Sequence, residues 1–250
     1  MLKFIKNHAA LFIEEERVLV ITDLHIGVVH ELSKSGIKIP SQLSMMERET
    51  ENLIKKTGAK ELIILGDIKH TVPGIGFYEK REVLDFLERV SSLVRLRICK
   101  GNHDDRIEKI VPKDIELHGP RGFRIGKYGF FHGHSWPSTE LLGCDYLILG
   151  HTHPTLQFVD KFGYRIVKPV WVRGEVDKKG VQERYGVEKV GMLRMIIVPA
   201  FNKLLAGAPI NARTHDNRLF GPLLRTNVVN IKECELYLLD GTYLGKLSML

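Results

Sequence analysis

The chain has 250 residues, 44% hydrophobic and 27% charged, which supports a packed core and excludes long disorder or a fibrous repeat. No apolar run approaches the roughly 20 residues that cross a bilayer, and residues 1–16 lack a signal peptide's apolar core and cleavage site, so a soluble cytoplasmic protein is expected. The formal charge of +7 would draw a polyanionic partner, although the cations are scattered as on any solvated surface.

Residues 17–22 form a β-branched run that stops at Asp23, and residues 61–65 form another that stops at Gly66 and Asp67. Both read as buried strands. Between them, residues 41–56 space Leu43, Met46, Leu53 and Ile54 for an amphipathic helix, with Gly58 placed to close it. That is a βαβ unit. A second helix is expected over 78–90, where Val83, Leu84, Leu87 and Val90 share a stripe, before an alternating strand at 95–99 that runs into Gly101 and Asn102. Ligand crevices in open α/β sheets lie beyond the carboxyl ends of the strands, so these three endings should meet on one rim.

From residue 115 onward the pattern changes to short strands and turns. Strands are expected at 122–125, 128–131 and 146–149, in a hairpin across 157–171, and at 195–199, 226–229 and 233–239, with a turn at Asp240 and Gly241 before a last strand. Together they should build a second sheet. Residues 174–191, charged and punctuated by glycine, are expected as a surface loop. Cys99, Cys144 and Cys234 lie in or beside apolar runs without CxxC spacing and read as buried thiols of a reducing cytoplasm.

Five polar clusters follow apolar strands in order: Asp23-Leu24-His25, Gly66-Asp67 with His70, Gly101-Asn102-His103-Asp104, His132-Gly133-His134, and Gly150-His151-Thr152-His153. Any one of them alone reads as a turn or a satisfied polar pair. Jointly they place seven of the eleven histidines with carboxylates and an amide at strand ends, where core packing has little use for them, and this points to metal binding. Mixed imidazole and carboxylate ligands suit Mn, Fe, Zn or Ni better than Ca. A dinuclear centre needs one shared ligand, and a carboxylate with two oxygens can bridge, which makes Asp67 the natural candidate.

In order and identity these clusters resemble the signature of the calcineurin-like metallophosphoesterase superfamily, over residues 17–154. The resemblance implies an α/β fold, a four-layer sandwich of two mixed β-sheets flanked by helices. It implies one domain over 1–250, with catalytic motifs in 23–153 and a β-rich part at 155–250 completing the second sheet. Carried over by position, Asp23, His25 and His153 would hold one divalent ion and Asn102, His132 and His151 the other, with Asp67 and a water between them. Mn is the first choice, with Fe, Zn or Ni as alternatives.

The same resemblance makes His103, Asp104 and His70 the candidate catalytic residues. His103 would face the phosphate and leaving oxygen while Asp104 orients its ring. His70 matches a second active-site histidine of SbcD-type nucleases, or else supports a ligand; His134 would be a supporting or substrate-facing group. Residues 23–27, 36–42 and 198–202, with the segment around Trp171, look closest to the SbcD-related small phosphoesterases of archaea and bacteria. This implies in-line attack of a metal-bridging hydroxide on a phosphodiester of nucleic acid or nucleotides, single strands included. A DNA repair helicase or ligase is then a candidate partner, and the chain ends without the long DNA-capping region of the full repair nucleases. The rivals are a phosphomonoesterase or phosphoprotein phosphatase of the same mechanism, and a non-catalytic scaffold, against which the intact ligand set and His103 speak.

Overall fold

The computed structural model describes residues 1–205, 207–212 and 221–250. One mixed sheet contains β1 (Leu2–Phe4), β2 (Leu11–Ile13), β3 (Val18–Ile21), β4 (Glu61–Leu65), β5 (Arg95–Cys99) and β6 (Glu116–His118), side by side in chain order. The first three are antiparallel, and β3 to β6 run parallel. Parallel neighbours require crossovers. Two are supplied by α2 (Leu43–Thr57) and α3 (Phe77–Ser91), while α1 (Val28–Lys34) lies just after β3.

The second mixed sheet holds β7 (Phe123–Ile125), β8 (Tyr128–Phe130), β9 (Tyr146–Leu149), β10 (Pro154–Val159), β11 (Arg165–Glu175), β12 (Arg194–Ile197) and β13 (Ala208–Pro209). Their spatial order is β13-β10-β11-β12-β9-β8-β7, and β14 (Glu235–Leu238) joins β11 and carries β15 (Tyr243–Lys246). Period-two alternation sorts the first sheet's side chains. Val18, Val20, Ile63 and Leu65 face a core shared with Phe130, Ile148 and Trp171 of the second sheet. Leu19, Ile21, Leu62 and Ile64 face a separate core with Leu53, Val83 and Leu87 of the helices. Two mixed sheets with helices at their flanks are thus the architecture the resemblance implies.

The expected helices at 41–56 and 78–90 are α2 and α3 within a residue or two, and Gly58 closes α2 with φ 62°. Three readings need correction. Residues 116–118 extend the first sheet rather than opening the second, because they pair with β5. The stretch 174–191 is not a plain loop: β11 runs to Glu175, and α4 (Lys178–Tyr185) follows, capped by the Asp177 carboxylate and ended by Gly186 at φ 65°. Residues 226–229 form no strand; they turn back after α5 (Pro222–Arg225), and the Val229 amide bonds to the Leu223 carbonyl. Strands β1 and β2 and helix α1, unanticipated in sequence, are too short to show a period. The three cysteines are buried and unpaired, and burial pushes the Cys99 and Cys234 thiols up to about 12. Among the described residues no helix is long and apolar enough to cross a membrane.

Candidate metal centre

The ends of β3, β4 and β5 meet on one rim, and the second sheet contributes the turns after β8 and β9. These turns are wound tightly. Asp23, His25, Asp67, His151 and His153 all hold left-handed backbone, with φ between 41° and 67°, a region that non-glycine residues enter at a cost. Two glycines make the approach possible. A Cβ on Gly101 would stand 2.1 Å from Asp67 Oδ1, and one on Gly150 would stand 2.0 Å from Thr22 Oγ1. The glycines that open the third and fifth clusters therefore let the loops close on Asp67 and Asp23.

Three groups of side chains gather there, each with ligand atoms within 4.8 Å of one another: Asp23, His25, Asp67 and His153; Asp67, His132 and His151; and His25, His70 and His103. Asp67 belongs to the first two. Its Oδ1 accepts the His103 backbone N–H at 2.8 Å, which leaves Oδ2 3.4 Å from His25 Nε2 and 3.3 Å from His132 Nε2. Asn102 joins the second group, its Oδ1 3.3 Å from His132 Nε2. The His132 ring is fixed from behind, where Nδ1 donates to the Leu65 carbonyl at 2.6 Å. Asp23 Oδ2 accepts the His151 backbone N–H at 3.1 Å and also lies 2.9 Å from the Thr22 hydroxyl, so Oδ1 is turned toward His153 Nε2, 3.1 Å away.

Donor chemistry and electrostatics fit a cation. Asp23 Oδ1 and His153 Nε2, although close, are not aligned for a hydrogen bond, and they and His25 Nε2 are buried without a hydrogen-bond partner among the described residues. Burial opposes ionisation of Asp67, but His132 and His25 hold its pKa far below the carboxylate range; Asp23 is likewise held low against burial, chiefly by His153. Burial also opposes a charged His132, yet Asp67 and Asp23 push it up to about 9. Buried carboxylates thus demand positive charge, and divalent ions can replace the protons that now supply it. His151 goes down to about 3 through burial and the neighbouring His132 charge, and burial lowers His25, so both rings are neutral and free to ligate.

The remaining predicted residues surround this cluster. His103 stands edge-on to His25, ring centroids 4.5 Å apart, and its Nδ1 lies 2.5 Å from the His70 carbonyl oxygen, to which it donates. That carbonyl, not Asp104, orients the ring. Asp104 points back under the loop instead: Oδ1 accepts the Ile68 amide at 2.9 Å and Oδ2 the Gly101 amide at 2.8 Å, and burial raises its carboxyl to about 6. His70 places Nδ1 3.1 Å from His25 Nδ1 and Nε2 3.0 Å from Glu31. His134, lowered to about 4 by burial and the His132 charge, lies beside His132 and His151 at ring separations of 5.2 and 5.9 Å.

Sequence reading assigned no role to the groups that brace these loops. Glu79, buried in the first turn of α3, accepts the amides of His70 at 2.7 Å, Thr71 at 2.8 Å and Gly76 at 3.1 Å. Lys69, fully buried, bridges the Thr71 carbonyl and Asp105, each at 2.6 Å. Asn202 reaches from the far sheet to the Leu24 carbonyl at 2.7 Å. Glu79 resembles an ordinary helix cap in sequence, and its second use depends on a loop that folds back onto α3.

Two carboxylates and a ring of imidazoles on the rim of a two-sheet α/β sandwich form a site able to hold divalent metal ions. A calcineurin-like phosphoesterase model matches residues 16–177, well over half of the chain, and the protein belongs to that family. Among curated proteins no sequence matches. Of solved structures, the nuclease MPE of Pseudomonas putida is 18% identical with a TM-score of 0.57, the match covering 94% of this chain and 89% of that one. YfcE, a phosphoesterase from E. coli, is 14% identical with a TM-score of 0.43, the match covering 93% and 99% of the two chains. At these identities the MPE likeness is one of fold.

Proposed function

We propose that the protein is a dinuclear phosphodiesterase acting on nucleic acid or nucleotides, with Asp23, His25 and His153 holding one ion, Asn102, His132 and His151 the other, and Asp67 shared. The observation that carries this is Asp67 Oδ2, which faces a separate imidazole group on either side. When bound, two ions held there would supply charge to neutralise phosphate oxygens and would lower the pKa of a water for in-line attack on phosphorus. A P–O bond to water forms as the ester P–O bond breaks, and the departing oxygen needs a proton. His103 is the residue assigned to that proton, because the His70 carbonyl fixes Nδ1 and leaves Nε2 for the substrate. His70 is assigned to holding the back of the His25 ring, and His134 to the substrate side of the second group. Asp104 supports the loop that carries His103.

Manganese is the proposed metal, since mixed nitrogen and oxygen ligands favour Mn, Fe, Zn or Ni over Ca. The net charge of +7 and the SbcD-like motifs support a nucleic-acid substrate handled in the cytoplasm, with a repair helicase or ligase as partner. Mn-loaded protein is expected to hydrolyse bis-p-nitrophenyl phosphate faster than p-nitrophenyl phosphate and to lose activity on chelation. Full turnover in excess EDTA after exhaustive dialysis would refute the metal mechanism, and preference for the monoester would favour a phosphomonoesterase.

A further inference from the structure

Each ring nitrogen of His70 meets a different group. Nδ1 lies 3.1 Å from Nδ1 of His25, and Nε2 lies 3.0 Å from a carboxylate oxygen of Glu31. Glu31 belongs to α1, the short helix that follows the first cluster, so the three side chains make a row that starts beside Asp67 and ends at the surface. Burial falls along it: His25 is enclosed, His70 is partly covered, and the Glu31 side chain is 65% exposed.

The protons of this row have one arrangement that lets His25 hold an ion. A neutral imidazole carries one N–H and one lone pair. For His25 to ligate through Nε2, which is buried without a hydrogen-bond partner among the described residues, its proton must sit on Nδ1. Two N–H groups cannot face each other at 3.1 Å, so Nδ1 of His70 is bare and accepts. The His70 proton then sits on Nε2, where Glu31 accepts it. From the surface inward the row reads carboxylate, imidazole, imidazole, cation, and no donor in it faces another donor.

We propose that Glu31 is a positioning residue for the metal centre: by accepting from His70 Nε2 it fixes the tautomer that turns the His25 lone pair toward the first ion. This rests on the dinuclear reading above and deepens it by a residue that no sequence motif marks. A carboxylate that accepts from a ligating histidine holds the ring and raises its basicity, and here a second imidazole is inserted between the two. The same geometry keeps His70 away from the phosphate, since both of its nitrogens are engaged within the protein. Its backbone is engaged as well, the carbonyl with His103 Nδ1 and the amide with Glu79. An ordinary surface ion pair between Glu31 and His70 would bring a small effect on stability and none on metal binding. The neighbouring His30 places Nε2 3.1 Å from Glu82 of α3, so the docking of α1 can be disturbed without touching the row.

The test titrates zinc, which is diamagnetic and suits these donors, into the parent, Glu31→Ala, Glu31→Gln and His30→Ala, and follows binding by calorimetry. The parent is expected to take up two equivalents. Glu31→Ala should weaken one of them by about tenfold and leave the other unchanged, the low end for a group behind a ligand because water partly replaces an exposed carboxylate. Glu31→Gln keeps an acceptor oxygen and should recover most of the loss, and His30→Ala should match the parent. Nitrogen-15 spectra of the zinc-loaded parent should show the His25 proton on Nδ1 and the His70 proton on Nε2, and Glu31→Ala should populate the other His70 tautomer. Unchanged affinity in Glu31→Ala, a His70 proton on Nδ1 in the parent, or an equal loss in His30→Ala would each overturn the role of Glu31 and leave the dinuclear reading standing. A parent that binds fewer than two equivalents would overturn both.

Discussion

The loops of the histidine cluster and the hairpin arm of β10 and β11 join at Pro154, where His153 ends one and β10 begins the other, yet they are stabilised in opposite ways. The loops are buried, hold strained left-handed backbone, and are tied by carboxylates to backbone amides. Along most of its length the arm exposes apolar and cationic side chains, supported by little beyond one strand pairing. Chemistry at a phosphate needs groups fixed to a fraction of an ångström, so the chain puts its buried charges there. The difference predicts which substitutions are severe and which are mild.

The largest effect is expected from Asp67→Asn. Its Oδ2 serves both groups, so metal affinity should fall by more than about 100-fold, beyond the loss typical of a group that only orients a ligand. Asn102→Ala, which removes one neutral donor from one group, should lose less. Elemental analysis of the two variants decides the order, and equal losses would show that Asp67 is not shared.

Next comes His103→Ala, expected to reduce turnover by about 10²–10⁴-fold, as for a positioned acid, while metal content stays unchanged. Loss of a metal equivalent in that variant would place His103 among the ligands rather than at the leaving oxygen.

A smaller effect, on stability, separates the bracing residues from the arm. Glu79→Ala strands backbone donors of His70, Thr71 and Gly76 and should cost about 3 kcal/mol, given about 1–3 kcal/mol for each buried unsatisfied group. Glu79→Gln should recover part of it, because an amide oxygen still accepts. Urea denaturation of the pair measures both. The mildest change is Phe162→Ser at the exposed tip of the arm, expected to shift stability by less than about 0.5 kcal/mol. A shift comparable with that of Glu79→Ala would mean that the arm is packed against something and would erase the contrast.

How much of this was legible beforehand follows the same division. The motif clusters could be read because a polar residue after a β-branched strand stands out against its surroundings, and helices α2 and α3 because their stripes persist for 15 residues each. Helix α4 was missed because its glycine and charges mimic a loop, and the strand expected at 226–229 failed because apolar residues there bury themselves in a turn. The orienting role given to Asp104 failed for a geometric reason. Adjacent side chains on a tight loop point apart, and the nearest acceptor to His103 Nδ1 is a carbonyl 33 residues earlier.

The sequence by itself determined the β3-α2-β4-α3-β5 succession, the polar groups at its strand ends and the kind of cation those groups suit, because periodicity and donor chemistry are local properties of the chain. Only the tertiary structure decided that Asp67 presents one oxygen to two groups, that Glu79, Lys69 and Asn202 brace the loops, and that His70 stands between His25 and Glu31. Those facts depend on contacts between segments as far apart as Leu24 and Asn202, and no spacing rule along the chain carries distance or direction across such a gap.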